Sequence, residues 1–198
     1  MSDFFDVVAR QRACRAFTGD EVSDDDIAKL LTAATFAPSA ENRQPWEFVV
    51  VRDPATRAAI GELTRAAWDA GGRTFSEGRL PPELLADVDR GATGGIAAAP
   101  VNVVVCADVH RGLEQTVASS IFPAVQNLLL AATALGLGSA LTTITVAHRR
   151  ELQELLGLPE HVRPVAVVPL GHPARALGPP RRRPFSAHAH RDRYGTAW

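Results

Sequence analysis

The chain has 198 residues, enough for one compact domain with a sizeable core. Its 21 Lys and Arg nearly balance 22 Asp and Glu, which gives no bulk charge for nucleic acid or an anionic membrane surface. With 46% hydrophobic residues and two cysteines, Cys14 and Cys106, the composition is that of an ordinary soluble protein without a disulfide framework, and a reducing, cytoplasmic setting is expected.

The N-terminal stretch MSDFFDVVARQR starts acidic and has no long apolar core, so it does not read as a signal peptide. Ser2 is placed to cap a first helix with Phe4, Val7 and Val8 on one face. Arg12 and Arg15 follow three apart and would point the same way on a last helical turn. Paired guanidinium groups suit a phosphate, although a solvated basic face is the simpler reading of the pair alone. Ser23 precedes Asp24, Asp25 and Asp26, a capping signal with acidic first-turn residues. Ile27, Leu30, Leu31 and Ala34 then recur at helical spacing, and Pro38 stops the helix.

Residues 37–52 read APSAENRQPWEFVVVR. Pro38 and Pro45 make the first part a loop, and the apolar run at residues 48–51 predicts a buried strand. Ser39, Asn42 and Gln44 thus sit between two core elements, a placement that suits a binding site. A plain connector anchored by Trp46 fits the spacing equally well. Pro54 opens a third helix continued by Ile60, Leu63 and Ala67. Residues 71–82 read as a loop, residues 82–88 as a short helix, and residues 91–99 as a flexible stretch of small residues. This middle segment would serve as a lid over a substrate, or as a surface insertion.

A second buried strand is predicted at residues 100–106. A long helix follows over residues 119–135, with Ile121, Val125, Leu128, Leu129 and Ala132 at helical spacing and Pro123 tolerated if it lies in the first turn. Residues 128–141 form the most apolar window, too short and too rich in Gly, Thr and Ser to span a bilayer. Gly136 and Gly138 end the helix. Residues 141–144 read as extended. Thr145 is placed to cap a helix carrying Leu152, Leu155 and Leu156, which stops at Gly157 and Pro159. A third strand covers residues 165–170. The tail from Arg181 onward is polar. No repeat or linker interrupts the chain, so a single domain over residues 1–198 is expected.

Few chemical motifs stand out. Gly136-Leu137-Gly138 follows a helix rather than a strand and lacks the third glycine of a dinucleotide fingerprint. His188 and His190 have no third metal ligand nearby in sequence, His148, His161 and His172 are scattered, and Asp108 and His110 are neighbours in sequence only, so no metal site is predicted. Three separated features agree with one another: the Arg12/Arg15 pair, the Ser39/Asn42/Gln44 loop, and Arg181, Arg182 and Arg183. Together they suit a phosphorylated, aromatic, hydrogen-bonding cofactor.

The loop sequence Pro38-Ser39-Ala40-Glu41-Asn42-Arg43-Gln44-Pro45-Trp46 resembles the signature loop of the nitroreductase family of flavoproteins. Arg12-Ala13-Cys14-Arg15-Ala16-Phe17, residues 126–139, Leu156-Gly157-Leu158-Pro159-Glu160, Leu170-Gly171-His172-Pro173 and Arg182-Arg183-Pro184 extend the resemblance over nearly the whole chain. It implies an α+β fold, a helix-flanked mixed or antiparallel β-sheet in an intertwined homodimer, with FMN bound at the subunit interface. Carried over to this sequence, Arg12, Ala13 and Arg15 hold the phosphate and ribityl side. Pro38, Ser39, Ala40 and Asn42 touch the flavin across the interface, Thr142, Thr143 and Ile144 lie along the ring, and Arg182 clamps the phosphate. Ala13 departs from the serine of many relatives, and Gln11 from a basic residue; both changes would weaken FMN binding or favour a modified flavin. The implied activity is electron transfer from NADH or NADPH through FMN to a small acceptor such as a nitroaromatic or quinone, by a ping-pong route with no catalytic side chain named. Other chemistry on the same scaffold (dehalogenation, ene reduction, flavin breakdown, deazaflavin-linked reduction) and a non-catalytic flavin-binding role are the alternatives.

Overall fold

A computed structural model describes residues 3–198. Its sheet has four strands: β1 (Trp46–Val51), β2 (Val101–Asp108), β3 (Gly138–Ser139) and β4 (Val162–Gly171). They lie in the order β1-β2-β4-β3, and each neighbouring pair is antiparallel. The helices are α1 (Phe4–Arg10), α2 (Asp24–Thr35), α3 (Pro54–Ala67), α4 (Arg73–Ser76), α5 (Pro82–Arg90), α6 (Ile96–Ala98), α7 (Glu114–Ala134) and α8 (Arg149–Leu156).

The alternation of β2 divides the core into two layers, because successive strand residues point to opposite faces. Val101, Val103 and Val105 meet Leu30 and Ala34 of α2 and Ile121, Val125 and Leu128 of α7. Val104 and Cys106 face the other way, toward Ile60, Ile96 and Leu152. Helices on both faces explain why β2 is buried along its whole length and reads as a continuous apolar run. β1 is less enclosed than its sequence suggests. It is an edge strand, and Phe48, Val49 and Val50 are only half-buried.

Several expectations are corrected by packing. Ser2 lies outside the described residues; Asp3 stands at the N-cap of α1 and makes no side-chain cap. Helix α7 starts at Glu114, so Pro123 lies in its interior rather than in its first turn. An interior proline costs about 3 kcal/mol of helix propensity; here the burial of α7 against α2 and the sheet outweighs it. α7 is also long and apolar enough to cross a membrane by length and composition, yet its buried residues belong to the core. Thr145 caps nothing. It is buried, its hydroxyl lies 2.7 Å from that of Thr64, and a 3-10 turn (Ile144–His148) leads into α8 instead.

The middle segment is corrected in part: the helix expected at residues 82–88 is present as α5, and the stretches on either side of it are also largely helical. Residues 68–98 are mostly helical, with wide helical turns at Trp68–Gly72 and Gly91–Gly95 joining α3 to α4 and α5 to α6. Trp68 is buried and its indole N–H donates to Asp89 Oδ1 at 2.9 Å. Ala92, Ile96 and Ala99 are buried as well. Gly72, Gly91 and Gly95 are packed against neighbours, whereas Gly71, Gly78 and Gly94 face open space.

Candidate cofactor site

Residues after α1 do not continue as helix. Ala13 forms a parallel bridge with Ser139, Cys14 N–H donates to Ser139 O at 2.9 Å, and Phe17 bridges Pro173. Arg12 and Arg15 therefore do not share a helical face, as the spacing suggested. They still reach one cleft, because the extended segment is laid along the β3 edge. Gly138 permits this approach: a Cβ there would stand 2.6 Å from Cys14 Sγ.

The cleft consists of three adjoining cavities that share Arg15. The first, about 170 Å³, lies between Gly91, Gly95 and Ile96 on one side and Thr142, Thr143 and Ile144 on the other. The second, about 330 Å³, is lined by Arg12, Ala13, Arg15, Asp87, Arg90 and Arg175. The third, about 320 Å³, adds Gln11, Leu141 and Arg182 around Arg12, Ala13 and Arg15. Seven of the residues assigned from sequence (Arg12, Ala13, Arg15, Thr142, Thr143, Ile144, Arg182) thus line one continuous cleft.

Sequence reasoning missed Asp87, Arg90, Arg175 and the Gly91/Gly95 pair. Asp87 Oδ2 accepts from Arg15 Nη1 at 2.7 Å, and its Oδ1 faces Arg90 at 3.1 Å and Arg175 at 4.0 Å. Arg15 and Asp87 keep only 22% and 24% of their side-chain exposure, so this pair is better shielded than a surface ion pair. Five arginines against one carboxylate leave the cleft electropositive, which suits an anion. Arg15 is fitted beneath the Gly91–Gly95 turn. A Cβ at Gly91 would stand 2.6 Å from Arg15 Cδ, and one at Gly95 would press into Arg15 O.

The signature loop faces elsewhere. Among the described residues, Pro38, Ser39, Ala40 and Asn42 line none of these three cavities. Their loop is internally braced: Ser39 Oγ accepts from Gln44 N–H at 3.0 Å, Asn42 Oδ1 from Gln44 Nε2 at 3.1 Å, and Ser120 Oγ from Ala40 N–H at 3.1 Å. Glu41, Asn42 and Gln44 all have φ near +50° (53°, 53° and 49°). Left-handed backbone at non-glycine residues costs about 1–3 kcal/mol each and persists where the surroundings dictate it, often at ligand sites.

Residues 8–172 match the family model described as the Nitroreductase family. The chain belongs to the nitroreductase family. An Archaeoglobus fulgidus relative, provisionally named NADH dehydrogenase/NAD(P)H nitroreductase, is 33% identical over 177 residues, 87% of each chain. The Bacillus subtilis protein named FMN reductase [NAD(P)H] is 26% identical over 213 residues, covering 98% of this chain and 75% of its own. A crystal structure from Desulfovibrio desulfuricans, solved in complex with FMN, superposes with a TM-score of 0.74 at 24% identity, covering 98% of this chain and 99% of that one.

Within this nitroreductase cleft the thiol of Cys14 is not a reactive group. Burial pushes it up, and burial alone pushes Cys106 up from 9.0 to about 12. Both thiols should therefore resist a disulfide reagent such as DTNB in the native protein and react on unfolding. The raised values also have a sign for stability. The folded state keeps the Cys106 proton while the unfolded chain ionises, so its contribution is full below about pH 9 and is lost as pH climbs toward about 12; Cys14 acts in the same direction. A urea titration series above pH 9 should show falling stability in the wild type and a flatter profile in Cys106→Ala; equal slopes would refute the assignment.

Proposed function

We propose that this nitroreductase-family protein binds FMN in the arginine-lined cleft and passes electrons from NADH or NADPH to small acceptors, with nitroaromatics and quinones as the favoured class. The observation that carries the reading is the division of one cleft into a cationic end and a largely neutral end. Arg12, Arg15 and Arg182 meet at one end, and Thr142, Thr143 and Ile144 face the Gly91–Gly95 turn at the other. That donor set fits a flavin with a phosphate tail.

Bound FMN supplies the hydride and electron chemistry. The chain supplies binding and electrostatics. Arg12, Arg15 and Arg182 would hold the FMN phosphate by charge-assisted hydrogen bonds. The Gly91–Gly95 turn lets Arg15 pack beneath it, in the wall of the cavity that Thr142, Thr143 and Ile144 also line. Arg15, pinned by Asp87, keeps a fixed positive charge beside the space where reduction would add negative charge. Ala13 has no hydroxyl to offer, so its position contributes backbone only.

A homodimer completes the reading. Pro38, Ser39, Ala40 and Asn42 lie off the chain's own cleft, and a second copy would bring them to the ring. Exposed Phe4, Phe5, Phe36 and Leu135 supply apolar surface for that contact.

The test is an absorbance spectrum of the purified protein before and after anaerobic NADH or NADPH. Flavin bands that bleach, and return with a nitroaromatic or quinone, support the reading. Bands that stay unbleached with both donors would overturn the donor assignment, and a protein that takes up no FMN would overturn the cofactor site.

A further inference from the structure

Asp108, His110 and His161 lie outside the cofactor cleft and have no part in the proposed reaction. In sequence they are two neighbours and a stranger 51 positions on, by subtraction of 110 from 161. The antiparallel pairing of β2 with β4 corrects that impression. Asp108 ends β2 opposite Val162, His161 immediately precedes β4, and Val109 N–H donates to His161 O at 2.9 Å. One ligand atom from each of the three side chains lies within 4.8 Å of the others. The two imidazole rings stack with centroids 4.3 Å apart and planes 3° from parallel. Asp108 is 9% exposed, and its orientation is fixed: Oδ1 accepts from His110 N–H at 2.9 Å and Oδ2 from Arg111 Nε at 2.7 Å.

We propose that Asp108, His110 and His161 form a site for one divalent transition-metal ion, with Zn²⁺ the best-matched probe. Two imidazole nitrogens and one carboxylate oxygen favour zinc, nickel or copper over magnesium or calcium, which take oxygen ligands. Tetrahedral bonds of about 2.1 Å place ligand atoms about 3.4 Å apart, so the triad, within 4.8 Å, must close by at most about 1.4 Å. Parallel rings aim their lone pairs side by side rather than at one point. The exposed ring of His110 supplies the correction by turning out of the stack, which disturbs no core contact. Arg111 does not make the place cationic, since it is paired with Glu47 as well as Asp108. Two carboxylates against one guanidinium leave a net negative charge there. The fourth position faces solvent on the His110 side and is open to water.

The site is joined to the signature loop. Asp108 N–H donates to Pro45 O at 2.7 Å, and Gly112 in the same turn packs so closely that a Cβ would stand 3.0 Å from Pro45 Cβ. An ion held by Asp108, His110 and His161 therefore braces the exit of the loop, and its binding raises the melting temperature.

The experiment is a calorimetric titration of Zn²⁺ alone into the tag-free protein as purified, which reads no flavin chemistry. One equivalent binds. His110→Ala and His161→Ala each weaken it by about tenfold or more, the minimum expected for losing a ligand. The doubly substituted tail variant His188→Ala/His190→Ala binds as the wild type does. Far-UV circular dichroism verifies the fold of each variant, and His110→Ala, at an exposed position, keeps the test valid if His161→Ala is unstable. With Cu²⁺ as a second probe, the electron spin resonance spectrum shows coupling to two imidazole nitrogens, and to one in His110→Ala. Absence of saturable Zn²⁺ binding, binding unchanged in His110→Ala, or binding lost only in the tail variant overturns the proposal.

Discussion

Gly95→Ala lowers stability by about 1–3 kcal/mol, the usual range for overpacking. For a chain of this length that is a fall in Tm of roughly 3–10 °C. The sign is the informative part. Alanine in a helical turn ordinarily gains about 0.5–1 kcal/mol over glycine, and Gly95 sits at helical φ and ψ. The gain is reversed because the new methyl group meets the carbonyl oxygen of Arg15, a backbone atom that cannot rotate away. Gly91→Ala behaves differently. Its methyl meets Arg15 Cδ and Cγ, the flexible part of a side chain, so the fold survives while the guanidinium moves. Thermal denaturation beside FMN titration separates the two: Gly95→Ala loses Tm, Gly91→Ala loses mainly flavin affinity. An unchanged or raised Tm in Gly95→Ala would show that the turn is looser than described.

Arg15→Ala weakens FMN binding by about 10- to 100-fold, the value of one charge-assisted hydrogen bond of about 1.5–3 kcal/mol. Two losses combine. One cation leaves the cleft, and Asp87 loses its 2.7 Å partner while still pointing into it. The second loss is separable. In Arg15→Ala/Asp87→Asn the carboxylate that Arg90 and Arg175 alone would face is gone, so part of the affinity returns and the two substitutions are non-additive. Flavin fluorescence titration at fixed ionic strength measures the cycle. Affinity within twofold of wild type in Arg15→Ala would remove Arg15 from the binding site, and strict additivity would deny that Asp87 acts through it.

Much of the local structure was legible because its signals are local. Ser23 accepts from Asp26 N–H at 3.1 Å, as the capping pattern requires. Pro54 stands in the first turn of α3, and Gly157 closes α8 with φ of 62°. The strand at residues 100–106 was found because both its faces are covered and the run is unbroken. The helix at residues 82–88 was legible and is present as α5, but the helical stretches on either side of it, residues 68–76 and 91–98, were not, because a glycine-rich stretch has the same composition whether it is mobile or packed. Only the presence of Arg15 beneath Gly91 and Gly95 distinguishes the two. Pro123 misled for a related reason: helix propensity is a per-residue quantity, and the burial that overrides it belongs to the whole of α7.

The sequence by itself determined the family, through the order of its Arg12–Phe17, Pro38–Trp46 and Arg182–Pro184 motifs, and with it the kind of cofactor. Seven of the eleven residues carried over from the family resemblance line one cleft. Tertiary structure alone decided which charges surround that cleft. Asp87, Arg90 and Arg175 come from α5 and from beyond β4, and they carry no motif that links them to Arg15. It alone placed His161 beside Asp108 and His110, through the register of β2 on β4. Coulombic and steric contacts fall off over a few ångströms in space, whereas the chain positions that supply them are many residues apart. Such partners become visible only when strand pairing and helix packing bring them together.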